Sequence, residues 1–140
     1  MNTKRPVRIL VVEDDFVSRK LIQKLMTEYG TCDMAANGRE GIDAFIAAHA
    51  EKAPYDLVCL DIMMPVMDGQ EVLRLLRNHE DQLGIRGLDG AKVLMITALD
   101  DFKNIMTAFR EQCEGYLVKP VEKAKVDAQM ADLGFKPLAG

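Results

Sequence analysis

The chain has 140 residues, 49% of them apolar and 29% charged, the mixture of an ordinary globular domain with a core large enough to need no disulfide staples. A net charge of −4 argues against a nucleic-acid binder held by counterion release. No apolar run reaches the ~18 residues that would span a bilayer.

In chain order, residues 7–12 form a β-branched run, too short for a helix and nearly continuous, as in a strand buried on both faces. From Phe16 to about Glu28, the apolar residues Leu21, Ile22, Leu25 and Met26 recur with helical spacing. Asp15 is placed to cap this helix and Gly30 to close it. Residues 31–36 read as a weak strand, and residues 38–49 as a helix with Ile42, Phe45, Ile46 and His49 on one stripe. Residues 55–60 are a strand ended by Asp61 and a turn. Gly69 to about Asn78 is a helix carrying Val72, Leu73, Leu75 and Leu76. A polar segment with three glycines (Gly84, Gly87, Gly90) follows over residues 78–90 and reads as a surface loop. Residues 92–96 are the fourth strand. Residues 101–113 are a helix with Phe102, Ile105, Met106, Phe109 and Cys113 along one face. Residues 115–118 are the fifth strand and residues 121–133 the last helix, after which Gly134 and Pro137 release a short tail.

Strict alternation of strand and helix predicts right-handed β-α-β units, hence an α/β fold with a parallel sheet covered on both faces. One domain is expected over residues 1–140, with its core at about 7–133, a tail at 134–140 and no linker to a further domain. Lys4, Arg5 and Arg8 precede an apolar run that meets Glu13 directly after Val12, which is no secretory signal. Cys32, Cys59 and Cys113 are odd in number and form no C-x-x-C pair. They read as reduced thiols, and the expected location is cytoplasmic. His49 and His79 read as a helix-face and a loop-edge residue.

In an open parallel sheet, ligands bind beyond the carboxyl ends of the strands, near the point where strand order reverses. The residues there are Glu13, Asp14 and Asp15 after the first strand, Asp61 after the third, Thr97 after the fourth and Lys119 after the fifth. Two carboxylates ~4 Å apart repel by about 4 kcal/mol at an effective dielectric of 20. Such a cluster calls for a cation, and an oxygen-only shell suits Mg²⁺, Mn²⁺ or Ca²⁺ rather than zinc. A carboxylate against such a metal is placed to attack a phosphoryl donor, with Thr97 and Lys119 holding the other phosphoryl oxygens.

Four stretches carry a resemblance: 9–15 (Ile-Leu-Val-Val-Glu-Asp-Asp), 61–69 (Asp-Ile-Met-Met-Pro-Val-Met-Asp-Gly), 96–98 (Ile-Thr-Ala) and 115–120 (Gly-Tyr-Leu-Val-Lys-Pro). In this order, each at a strand end, they resemble the receiver domains of two-component response regulators, the CheY-like fold. The resemblance implies a doubly wound, flavodoxin-like (βα)5 sheet of order 2-1-3-4-5. It implies Asp61 as phosphoacceptor, Asp14 as a direct Mg²⁺ ligand (Mn²⁺ being a substitute), and Glu13 as a metal-site acid acting directly or through water. The Met63 carbonyl completes the ligands, with Asp15 left as a cap. It further implies Thr97 as switch hydroxyl, Tyr116 as switch aromatic, Lys119 as phosphate-binding lysine and a cis Lys119–Pro120 bond. Tyr116 also fits a plain core aromatic.

The partners so implied are a histidine kinase or phosphotransfer protein as donor and a downstream protein met by the fourth helix, fifth strand and fifth helix. Lys103, Asn104, Thr107, Arg110 and Glu111 are the exposed reporters, on a monomer or weak dimer that acts without an attached output domain. A 1:99 to 99:1 switch takes ~5.5 kcal/mol. Two or three charge-assisted hydrogen bonds of ~1.5–3 kcal/mol each reach that.

An aspartyl-phosphate hydrolase would carry a second acid two residues after Asp61, where Met63 stands, so turnover of external substrates is not expected. A flavodoxin-like nucleotide carrier lacks its phosphate loop here. A degenerate receiver that only docks is the remaining alternative, set against the complete acid, hydroxyl and lysine set. Two features depart from the commoner pattern: the longer stretch between Asp61 and Thr97, and a last helix rich in alanine (Ala124, Ala128, Ala131).

Overall fold

A computed structural model describes residues 5–98, 102–110 and 112–139, the Phe102 side chain excepted. Features expected at Lys4, Asp101, the Phe102 side chain, Glu111 and Gly140 lie outside the described residues. The sheet has five parallel strands, β1 (Arg8–Val12), β2 (Thr31–Ala35), β3 (Leu57–Asp61), β4 (Lys92–Thr97) and β5 (Gly115–Val118), in the order β2-β1-β3-β4-β5. The helices are α1 (Phe16–Met26), α2 (Gly38–Ala50), α3 (Gly69–Gln82), α4 (Phe102–Arg110) and α5 (Lys123–Leu133).

Strand side chains alternate between two cores, as a period of two dictates for a sheet buried on both faces. Leu10, Val12, Val58, Leu60, Val93 and Met95 face the layer of α2, α3 and α4, packing on Ile42, Phe45, Leu73, Leu76 and Ala108. Ile9, Val11, Leu57, Cys59, Leu94 and Ile96 face α1 and α5, packing on Ile22, Met26, Val126 and Met130. Each of these is fully or nearly fully buried, so truncating one of the leucines to alanine costs about 2–5 kcal/mol. No helix among the described residues is long and apolar enough to cross a membrane.

Several boundaries and faces differ from the sequence expectation. Helix α3 runs on to Gln82 rather than stopping near Asn78, so only residues 83–91 are loop, and they carry a 3₁₀ turn at Gly87–Asp89. Their anchor is Glu80, whose carboxylate accepts the Ala91 amide at 2.7 Å while pairing with Arg77 at 2.8 Å. On α4 the buried residues are Ile105 and Ala108, whereas Met106 and Phe109 are half exposed. On α2 the apolar face is completed by Gly41 and Ala48, and Ile46 turns outward.

Gly30 does not cap α1, which ends on Thr27 in a right-handed conformation. A Cβ at Gly30 would stand 2.2 Å from the Val7 carbonyl oxygen, so that glycine serves the close approach of two backbones. The tail is docked rather than released. Gly134 caps α5 in the left-handed region, Phe135 packs on the α1/α5 core, and the Leu138 amide donates to Glu28 O at 2.7 Å. Of the thiols, Cys59 and Cys113 are buried and Cys32 is half-buried, all unpaired.

Candidate functional site

The strand order reverses between β1 and β3, and the site lies beyond their carboxyl ends. The rim is held by the last rungs of the ladder. Glu13 N–H donates to Ala35 O at 3.1 Å, Ile62 N–H to Ile96 O at 2.9 Å, and Lys119 N–H to Thr97 O at 2.8 Å. Behind Asp61, Gly69 opens α3 so close to the strand that a Cβ there would stand 2.2 Å from the Asp61 carbonyl oxygen. Asp68 caps α3 by accepting the Glu71 amide at 2.9 Å, and Asp15 caps α1 by accepting the Ser18 amide at 2.8 Å.

Glu13, Asp14 and Asp61 each bring a carboxylate oxygen within 4.8 Å of the other two. Glu13 and Asp61 are buried and Asp14 is exposed to solvent. Lys119 Nζ sits 3.2 Å from Glu13 Oε1 and 3.6 Å from Asp61 Oδ2, one ammonium for two buried acids. Asp61 Oδ1 accepts the Met63 amide at 3.2 Å, and Glu13 Oε2 accepts the Asp15 amide at 3.1 Å. Glu13 Oε1, buried like the rest of the side chain, accepts no hydrogen bond of good geometry.

Burial first, and then hydrogen bonding to Glu13 and its negative charge, push the Asp61 carboxyl up to about 8 against the pull of Lys119 and the Met63 amide. Burial opposes the Lys119 charge, but Asp61 and Glu13 outweigh it and hold the ammonium above its ordinary value. Near neutral pH the Asp61 carboxyl therefore holds its proton. An acid cluster with one ammonium for its two buried carboxyls and one exposed carboxylate fits a hard divalent cation, which would replace the Asp61 proton.

Thr97 is fully buried at the end of β4, one residue beyond the Asp61–Ile96 pair, and its hydroxyl donates to Ala98 O at 3.2 Å. Tyr116 lies on β5, in register with Met95 of β4. Its ring lies half exposed with its edge against Phe109, centroids 6.1 Å apart, so it is no core aromatic. Met63 turns its side chain outward, 63% exposed. The Lys119–Pro120 bond is cis. Of the α4 surface residues, Lys103 and Arg110 are exposed while Asn104 and Thr107 are half-buried, and the Gln70 side-chain amide of α3 donates to Asn104 Oδ1 at 2.8 Å.

The residue that sequence reasoning missed is Arg19, which donates to Glu13 O at 2.8 Å and Asp14 O at 3.4 Å. It stands four residues after the cap Asp15, one turn into α1 and facing back over the β1–α1 turn. That spacing was the available signal.

A family model for the response regulator receiver domain matches residues 9–131. The chain belongs to the response-regulator receiver family. Among curated proteins, the receiver is 33% identical over 130 residues to the chemotaxis protein CheY of Treponema pallidum, covering 91% of this chain and 83% of that one. It is 32% identical over 129 residues to the transcriptional regulatory protein PcoR of Escherichia coli, covering 90% of this chain and 50% of PcoR. The receiver thus spans about half the length of several of the curated relatives it matches. Among solved structures, a chain of the CheX–CheY–BeF3–Mg complex of Borrelia burgdorferi superposes with a TM-score of 0.78 at 26% identity, covering 94% of this chain and 91% of that one. The Saccharomyces cerevisiae complex of the phosphotransfer protein Ypd1 with the receiver domain of Ssk1 gives 0.77 at 22% identity, covering 91% and 88%, and at that identity it speaks for the fold alone.

Proposed function

We propose that this receiver accepts a phosphoryl group on Asp61 in the presence of Mg²⁺ and answers by changing a protein-binding surface. The observation that carries the proposal is the meeting of Glu13, Asp14 and Asp61 within 4.8 Å beside the Lys119 ammonium. Glu13, Asp14, Asp61 and the Met63 carbonyl would hold Mg²⁺, or Mn²⁺ in its place. A bound cation supplies the charge that keeps Asp61 ionised and neutralises phosphoryl oxygens.

In the transfer an ionised Asp61 oxygen forms the new P–O bond while the P–N bond to the donor histidine breaks, and the imidazole nitrogen keeps the electron pair and takes up a proton. The donor is a histidine kinase or a phosphotransfer protein. Lys119 swings its pairing from Glu13 and Asp61 to the phosphoryl oxygens, and Thr97 exchanges its Ala98 partner for another of them. Tyr116, poised at the surface against Phe109, then follows the displaced threonine and alters the face of α4, β5 and α5 that meets the downstream protein. The receiver catalyses its own phosphorylation and slow dephosphorylation and turns over no external substrate. Its setting is cytoplasmic, as a monomer or weak dimer. The full acid, hydroxyl and lysine set favours this over a docking module that works without phosphorylation.

Acetyl phosphate with Mg²⁺ should add one phosphoryl group to the intact protein, seen by mass spectrometry and mapped to Asp61. Asp61→Asn or EDTA should abolish it. Thr97→Ala should still be labelled but lose the partner response. Absence of label, or label elsewhere, sinks the proposal.

A further inference from the structure

At the pole opposite the acid rim, α3, the segment 83–91 and the turn after α4 enclose a groove of about 670 Å³. One wall is the longer stretch that sets this chain apart from the commoner receiver pattern. We propose that this groove binds a small anion bearing a di- or triphosphate group.

The groove separates its charges. Its floor is Arg77, whose guanidinium is consumed internally: it donates to Glu80 at 2.8 Å, to Ala91 O at 2.8 Å, to Gln112 O at 2.7 Å and to Glu114 at 2.9 Å. Both of those carboxylates also accept backbone amides, the buried Glu80 from Ala91 and the partly exposed Glu114 from Val93 at 2.6 Å. The rim is mostly cationic, with Arg74, Arg86, Lys92 and Arg110 against the single carboxylate of Asp81. Arg86 pairs with Asp81 in an open ion pair that solvent weakens, both side chains more than 60% exposed. Lys92 and Arg110 have no carboxylate in ion-pair range among the described residues.

Glu80 and Glu114 thus serve the fold, while the bases face the opening with the exposed Asp81 beside Arg86, in a chain whose net charge is negative. Two cations with no carboxylate in range among the described residues, and a third in a breakable pair, match an anion of two or more charges. Ile85 and the 88%-exposed Leu88 offer apolar contact to whatever carries the phosphates. The size lies within the usual range of small-molecule sites. The anchor also fixes the wall: Glu80 holds the end of the segment at Ala91, so the groove is preformed and little ordering is lost on binding.

Calorimetric titration of the full chain in EDTA, with inorganic pyrophosphate and with ATP as probes, tests this. One saturable equivalent of either is expected. Arg110→Ala and Lys92→Ala should each weaken it about fivefold, and raising salt from about 50 to about 300 mM should weaken it further. Asp61→Asn should leave binding unchanged, which separates this groove from the proposed phosphoacceptor site. The proposal is overturned if neither probe binds at millimolar concentration, if sulfate competes as well as pyrophosphate, if both substitutions leave binding intact, or if Asp61→Asn abolishes it.

Discussion

Replacing Asp61 with Asn should make the metal-free protein more stable at neutral pH, although it removes a charged partner of Lys119. Asp61 is buried beside Glu13 with one ammonium between them, and its carboxyl stands at about 8 against an ordinary 3.8. A carboxyl raised by folding contributes stability that is complete below its unfolded pKa and is lost as pH rises toward the folded value, here between about 4 and 8. At up to about 1.4 kcal/mol for each pH unit, the loss by pH 7.5 amounts to several kcal/mol. The amide removes that loss, but it must itself be desolvated and it leaves Lys119 with Glu13 alone. A net gain of about 2 kcal/mol is expected, or about 6 °C in Tm for a chain of this size. Urea unfolding in EDTA at several pH values reads both the gain and the slope, which in the variant should be flatter by up to about 1.4 kcal/mol per pH unit. Saturating Mg²⁺ should stabilise the natural chain far more than the variant, because only the former exchanges an Asp61 proton for the cation. Equal stability and equal pH slope for the two proteins in EDTA would refute the reasoning.

Three further outcomes can be checked on the same instrument. Val66 is a fully exposed β-branched residue at φ 70°, in the loop after Asp61, so Val66→Asn should relieve left-handed strain and add about 1 kcal/mol; no gain would mean that the backbone is not strained there. Glu80→Ala leaves the Ala91 amide without its carboxylate and Arg77 short of one of two, and should cost about 3 kcal/mol; a loss below about 1 kcal/mol would mean that residues 83–91 need no anchor. His79 is held below its ordinary 6.5 first by burial and then by His49, whose ring lies 5.3 Å away, so stability present above about pH 6.5 should be lost as pH falls through the folded value. His79→Gln should flatten that acid limb, and an unchanged limb would place the titration elsewhere.

The topology and the polar rim were legible in the sequence for one physical reason. A parallel sheet buried on both faces needs uninterrupted apolar runs, so the first polar residue after each run marks a strand end. Glu13, Asp61 and Lys119 were readable in that way, and their convergence follows from topology once the order β2-β1-β3-β4-β5 holds. Helix faces were less legible where small or weakly apolar residues fill the contact, as Gly41 and Ala108 do, because periodicity weights the large side chains and put Ile46 and Met106 inside.

Charged groups that work inside the fold left no such trace. Nothing in the local spacing of Glu80 or Arg77 distinguishes them from solvated helix residues, and their role exists only because the chain returns at Ala91 and at Gln112. The same holds only in part for Arg19: its place one turn after the cap Asp15 was a spacing signal, but its partners are backbone carbonyls of a turn and not side chains with a sequence signature. It holds in part for Glu13 as well. Its place at the strand end was readable, but not that it would be fully buried against Asp61 with a single ammonium between them. That burial raises the Asp61 carboxyl, so the Mg²⁺ binding proposed for this rim and a dependence of phosphorylation on Mg²⁺ would have the same origin.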